Sequence, residues 1–195
     1  MAKYLYPLPQ APYFTEYIHH PQLFTPQEVS HLRQIFDENE ARVAPLDRAA
    51  SPGESELRRS TIVTLLPEPQ LVWAFERIAQ WAYQVNQERY AFDLQGLNEG
   101  LQLARYTTGD FFDWHLDFGP GGISNRKLSI TVQLAEENAY EGGDLQIMIN
   151  EKFHNMPRAA GSATLFPSFM QHRVTPITKG DRYSLVGWVN GPPFR

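Results

Sequence analysis

A chain of 195 residues, 42% of them hydrophobic, is long enough to bury an ordinary core and is expected to form a single domain over residues 1–195. Its net charge of -5 gives no general basic surface for phosphate backbones, so nucleic acid is not the expected partner. Cysteine is absent, which removes disulfides, thiolate nucleophiles, iron-sulfur clusters and Cys-based zinc sites and leaves His, Asp and Glu as the strong metal ligands.

The opening segment MAKYLYPLP has neither an apolar h-region nor a small-residue cleavage site, and no apolar run approaches the roughly 18 residues of a membrane span. The expectation is a cytoplasmic protein with no membrane partner. Thr25-Pro26-Gln27-Glu28 has the pattern of a capping box with Pro at the first helical position, and Val29, Leu32 and Phe36 repeat on one face after it. This predicts a helix from about Pro26 to about Asp37. Residues 44–58, rich in Pro, Ser, Ala, Gly and charge, read as a mobile loop, and Arg59 to Leu66 as a strand rich in β-branched residues. Glu68-Pro69 opens a second predicted helix, in which Leu71, Phe75, Ile78, Ala82 and Val85 keep a helical period to about Arg89.

From about residue 99 the pattern changes to short β-type runs between Gly, Pro and Asn clusters. Strands are predicted near 101–107, 112–117, 127–134, 144–149, 162–166, 171–175 and 182–189, with turns at Pro120-Gly121-Gly122 and Glu141-Gly142-Gly143-Asp144. Strands this short and this closely spaced point to a sandwich, barrel or jelly roll. Residues 1–98 then supply helical and β support, and residues 99–195 the β core.

In an extended strand His115 and Asp117 point the same way and can grip one ion. A lone His-x-Asp is weak evidence, since most such pairs lie on surfaces or hydrogen-bond locally. His172 and Arg182 strengthen it, Arg182 standing at the start of the last predicted strand. Two imidazoles and one carboxylate leave positions open on an octahedral ion, as a non-haem Fe(II) oxygenase needs for O2 and an organic chelate.

In the last strand Arg182, Ser184, Val186 and Trp188 share one face, and an arginine on an inward face demands an anion. A dicarboxylic 2-oxo acid can chelate iron through its 2-oxo and C1 carboxylate groups while Arg182 holds the other carboxylate bidentately. Ser129 and Thr131 share one face of their strand and can add hydroxyl donors. Plainer readings stand beside these: Arg182 bridging to Asp181, Tyr106 as packing with a satisfied hydroxyl, Trp114 and Trp188 as core, and Arg58 and Arg59 as charged ends of a half-solvated strand. His19, His20, His31 and His154 have no ligand spacing and are expected in solvated or capping roles.

The segment from Leu101 to Asp117 (LQLARYTTGDFFDWHLD), then Glu141-Gly-Gly-Asp-Leu145, His172-Arg-Val and Arg182-Tyr-Ser-Leu-Val-Gly-Trp188 resembles the 2-oxoglutarate and Fe(II)-dependent dioxygenases, in particular the prolyl 4-hydroxylase-like (PKHD-type) bacterial hydroxylases. The resemblance covers residues 101–190, with the motifs in the family's order. It implies a double-stranded β-helix, a jelly-roll barrel of the cupin-like kind, with the two N-terminal helices on its outer face. It makes His115, Asp117 and His172 the iron ligands, Arg182 the partner of the distal 2-oxoglutarate carboxylate, and Tyr106, with Ser184, Ser129 and Thr131, part of the cosubstrate surroundings.

The implied reaction decarboxylates 2-oxoglutarate with Fe(II) and O2, ascorbate being an optional addition, and hydroxylates a C-H bond of a prolyl or other amino-acid side chain in a peptide, a protein or a free amino acid. Asp117 stands where halogenating relatives lack a carboxylate. Gln133 stands where some relatives have a tyrosine, which removes that contact to 2-oxoglutarate. A nucleic-acid or small-molecule oxidative demethylase would share the iron and cosubstrate site, the former with a basic groove, whereas a non-catalytic cupin-like metal-binding module would need no Arg182.

Overall fold

The structure, a computed structural model, describes residues 15–39, 42–43 and 57–194. Helix α1 (Pro26–Glu38) starts where the sequence predicts. The Thr25 hydroxyl accepts from the Glu28 amide, the Glu28 carboxylate accepts from the Thr25 amide, and Pro26 sits where a helix has no use for its missing N–H. Val29, Leu32 and Phe36 form its buried stripe. The second helix is shorter than predicted. The Leu71 and Val72 amides both bond to the Glu68 carbonyl in a leading turn, α2 (Val72–Val85) follows, and Asn86–Tyr90 widen into a π-turn that ends on Ala91 at φ 53°.

A seven-stranded sheet runs in the order β1 (Ile18–His20), β11 (Ala163–Pro167), β7 (Arg126–Gln133), β14 (Arg182–Asn190), β5 (Leu101–Tyr106), β4 (Thr61–Leu65) and β2 (Arg42–Val43), all antiparallel. A five-stranded antiparallel sheet runs β10 (Lys152–Asn155), β9 (Leu145–Ile149), β12 (His172–Val174), β6 (Phe111–His115) and β3 (Arg58–Arg59). β8 (Tyr140–Gly142) and β13 (Ile177–Gly180) pair separately.

Alternation gives the larger sheet two different faces. Leu103, Ile130, Val132, Leu165 and Leu185 line one face and are buried in a hydrophobic cluster shared with α1 and α2. Phe36 of α1 meets Tyr183 edge-on at 5.5 Å, and Ile78 of α2 lies over Gly187 of β14. The opposite face carries the cross-strand pairs Arg182↔Tyr106, Ser184↔Gln133, Val186↔Thr131 and Trp188↔Ser129. It is polar because it faces a cavity that the smaller sheet covers, not a solid core.

Three expectations change. The strand predicted over Arg59 to Leu66 is two strands: β3 joins the smaller sheet, buried Ser60 turns the corner, and β4 joins the larger one. The strand predicted over 112–117 ends at His115, and its pairing with β12 shifts register between His172 and Val174. β1, β2, β8, β10 and β13 lie outside the predicted strands. The segment expected as a mobile loop, 44–58, lies outside the described residues up to residue 56. Among the described residues no helix is long and apolar enough to cross a membrane.

Candidate metal and anion site

His115 closes β6 and His172 opens β12, and the two are directly paired across the smaller sheet with ring centroids 4.1 Å apart. Asp117 reaches them from the turn after β6, held there by its own amide and that of Phe118, both bonded to the Ser168 carbonyl. The two-residue spacing therefore works by a turn pinned to the β11–β12 connection, and not by the alternation of one continuous strand. His115 Nδ1 lies 2.7 Å from the Asp113 carbonyl oxygen and His172 Nδ1 2.9 Å from that of Met170. A neutral imidazole donates through that nitrogen and leaves Nε2 as a lone pair for a metal. Both Nε2 atoms face Asp117, at 3.7 Å from Oδ1 for His115 and 3.5 Å from Oδ2 for His172.

These three are the one group of His, Asp and Glu among the described residues whose ligand atoms cluster as a metal site does. Burial, and then the neighbouring His172, push His115 down to about 3, against the opposite pull of Asp117 and the Asp113 carbonyl. Burial alone would push the Asp117 carboxyl up; the histidines, the Ser129 hydroxyl and the nearby Trp188 indole outweigh it and hold the group below its ordinary value. At neutral pH His115 and Asp117 thus stand in the protonation states that bind a cation. The donor set fits ferrous iron, with coordination positions left for small ligands.

Ser129 donates to Asp117 Oδ2 at 2.6 Å and lies 3.0 Å from the Ser168 hydroxyl. The sequence expects Ser129 among the cosubstrate surroundings; the structure places it behind the metal ligand and outside the cavity wall. Arg126 carries the support one layer further. Its guanidinium is clamped by Glu99, approaches the Asp117 carbonyl at 3.5 Å and stacks 3.8 Å from the centre of the Trp188 ring.

The cavity lies between the two sheets and, with the solvent at its mouth, comprises about 430 Å³ of empty space. Arg182 lies in its wall at 1% exposure. Nη1 donates to Ser184 Oγ at 3.1 Å and the guanidinium carbon sits 5.4 Å from the Tyr106 ring centre, while Nε and Nη2 have no hydrogen-bond partner among the described residues. The suggested bridge from Arg182 to Asp181 does not form; Asp181 pairs with Arg105. A buried guanidinium with no carboxylate beside it is costly unless an anion answers it.

Tyr106, Thr131 and Ser184 line the same cavity, as does Trp188, which the sequence alone reads as core. Trp114 lies outside it, under the Arg173 guanidinium at 4.7 Å. Arg58 lines the cavity over the Phe112 ring at 4.8 Å, and His154 is exposed on β10. The sequence reading missed the apolar walls Phe112, Leu145 and Val174, and it missed Arg126, Glu99 and Ser168 behind Asp117. Nothing in their spacing marks them, because their partners come from distant strands.

Residues 101–190 match the family model of the 2OG-Fe(II) oxygenase superfamily. It is 36% identical over 100 residues to a PKHD-type hydroxylase of Synechococcus sp. (strain CC9605), a match covering 51% of this chain and 45% of that relative, so the chain spans less than half of the relative's length. A PKHD-type hydroxylase of Shewanella baltica (strain OS185) is 28% identical over 180 residues, 87% of this chain and 75% of that one. In architecture the chain resembles a crystal structure of a Pseudomonas putida prolyl-4-hydroxylase with a TM-score of 0.70, at 21% identity, over 91% of this chain and 93% of that one.

Proposed function

We propose that this protein is a 2-oxoglutarate- and Fe(II)-dependent dioxygenase that hydroxylates a C-H bond of an amino-acid side chain, prolyl or other, in a peptide, a protein or a free amino acid. The observation that carries this reading is Arg182: a buried guanidinium with two unspent donors in the same cavity as the triad, as a metal-chelating dicarboxylate requires and a bare metal-binding module does not. In this reading the two sheets close as a double-stranded β-helix. Iron, when bound with O2 and 2-oxoglutarate, supplies the oxidising power, yielding succinate, CO2 and a hydroxylated product.

The chain's own residues do the rest. His115, His172 and Asp117 hold the metal from one side, and Ser129 fixes which way the Asp117 carboxylate faces. Arg182, braced by Ser184, takes the distal carboxylate and sets how deep the 2-oxo acid sits. Phe112, Leu145, Val174 and Val186 keep the walls apolar, so that water is excluded around the reacting carbon. The names of the PKHD-type and prolyl-4-hydroxylase relatives support an amino-acid side chain as the substrate class.

The test is twofold. Anaerobic protein loaded with Fe(II) and 2-oxoglutarate should show the weak visible charge-transfer band of a chelated ferrous complex. With O2 added, libraries of amino acids and peptides should yield a product one oxygen atom heavier. Absence of the band in iron-loaded protein overturns the dioxygenase reading. Stimulation of 2-oxoglutarate turnover by methylated nucleobases alone overturns the substrate class.

A further inference from the structure

The turn that carries Asp117 is backed by aromatic rings. Phe118 follows Asp117 directly, and Phe169 follows Ser168, whose carbonyl accepts from the amides of Asp117 and Phe118. The Phe194 ring meets both of these rings edge-on, with centroids 5.5 Å from Phe118 and 6.3 Å from Phe169. Phe92 joins the group at 6.1 Å from Phe194 and 6.4 Å from Phe169. It is fixed in turn by Asn86, whose side chain accepts from the Phe92 amide and donates to its carbonyl.

Phe194 also covers a charge. Lys127 on β7 is 3% exposed, its Nζ has no hydrogen-bond partner among the described residues, and that atom lies 3.6 Å from the centre of the Phe194 ring. Taking an ammonium out of water is costly, and the π face of Phe194 offsets part of that cost. The chain reaches this place by a short, stiff route. Gly191 donates to the Asn125 carbonyl at 2.9 Å and passes so close to the Asp93 carbonyl that a Cβ would collide with it. Pro192 and Pro193, whose rings fix φ, then present Phe194 with little freedom left to lose. Phe194 is 49% exposed and belongs to neither hydrophobic core cluster, so core burial does not account for its position.

We propose that Phe194 is a positioning residue for the metal centre, a clasp that pins the Phe118 turn against the Ser168 connection and so keeps Asp117 in its ligating place. Ser129 holds the Asp117 carboxylate, the Ser168 carbonyl holds its amide, and Phe194 acts on the turn as a whole through Phe118. Opening the clasp lets that turn move away from Ser168, while His115 and His172 stay paired across β6 and β12. Its effect therefore falls on one ligand of the three. The proposal rests on the metal centre of the reading given above, and not on the identity of the cosubstrate or the substrate.

The test is Phe194→Ala, with Phe194→Tyr as the rescue, at a half-exposed site where loss of the ring leaves the core intact. In metal-free Phe194→Ala the Asp117 and Phe118 amides should exchange with solvent deuterium roughly 3- to 10-fold faster than in wild type, the scale of a lost aromatic contact. Calorimetric titration should show Mn(II) affinity lower by a similar factor, below the roughly 10- to 100-fold of losing a partner bonded directly to a ligand. Tyrosine, which keeps the ring, should restore both. Phe36→Leu is the control for general destabilisation, since that ring packs on Tyr183 at the helix side of the larger sheet. It should lower the melting temperature and move neither readout. Either readout unchanged in Phe194→Ala, a change that tyrosine does not restore, or an equal change in Phe36→Leu overturns the clasp. Wild-type protein that binds no divalent metal overturns the metal reading instead, and amide exchange alone then decides whether Phe194 holds the turn.

Discussion

At the metal end of the cavity the ligands already have their orienting partners: a backbone carbonyl for each histidine and Ser129 for Asp117. At the Arg182 end, Nε and Nη2 of the guanidinium have none among the described residues. The first arrangement stands without its ion, since partners two residues away in sequence or on the facing sheet hold it. The second has donors that a bound anion would satisfy. The metal end is therefore preorganised, and the anion end carries a cost that binding relieves.

The largest test of that contrast is His172→Ala. Removing a ligand from a set of three should lower Fe(II) affinity by more than the roughly 100-fold that the loss of an outer partner can cost. Metal titration of the purified variant measures this, and near-normal affinity would show that the triad does not act as one site. Arg182→Ala comes next. It should weaken 2-oxoglutarate binding by about 2 to 5 kcal/mol while Fe(II) affinity stays close to wild type. Loss of both together would break the separation of the two ends.

Ser129→Ala should act on the metal end alone. Fe(II) affinity should fall by roughly 10- to 100-fold, the usual effect of freeing a ligand from its outer partner, with 2-oxoglutarate affinity unchanged once metal saturates. The mildest effect is on acid stability. His115 is held at about 3 in the folded protein against an ordinary 6.5, so between these values the unfolded chain binds a proton that the folded chain refuses. That contribution to stability is fully present above 6.5 and is lost as pH falls towards 3. Asp117, also lowered, adds loss of the same sign at lower pH. Melting temperatures of the metal-free protein should fall on acidification, and His115→Gln should flatten the fall; an equally steep fall in that variant would place its origin elsewhere.

The sequence reached the triad and Arg182 because each carries its chemistry in its residue type, and because order along the strands was enough to align them. It reached α1 through a capping box that local bonds alone satisfy. The residues it did not reach act across strands. Arg126 and Glu99 meet only after β7 forms. Missed strands follow the same rule. β10 is exposed at all four positions and shows no alternation, and β1 is a three-residue edge rich in histidine, so neither has a buried face to announce it. Ser129 illustrates the limit well: its face was legible, but which neighbour its hydroxyl would serve was not.

β14 is the last strand described, yet it lies between β7 and β5 in the middle of the seven-stranded sheet. During synthesis β5 and β7 emerge long before it and must wait with open edges, one on each side of a gap. A ribosome stalled short of residue 182 therefore presents two strands, each apolar on one face, with unpaired backbone, a form prone to pair with another chain. Truncation upstream of β14 is expected to yield an aggregating polypeptide dependent on chaperones, and not a folded protein that merely lacks its arginine.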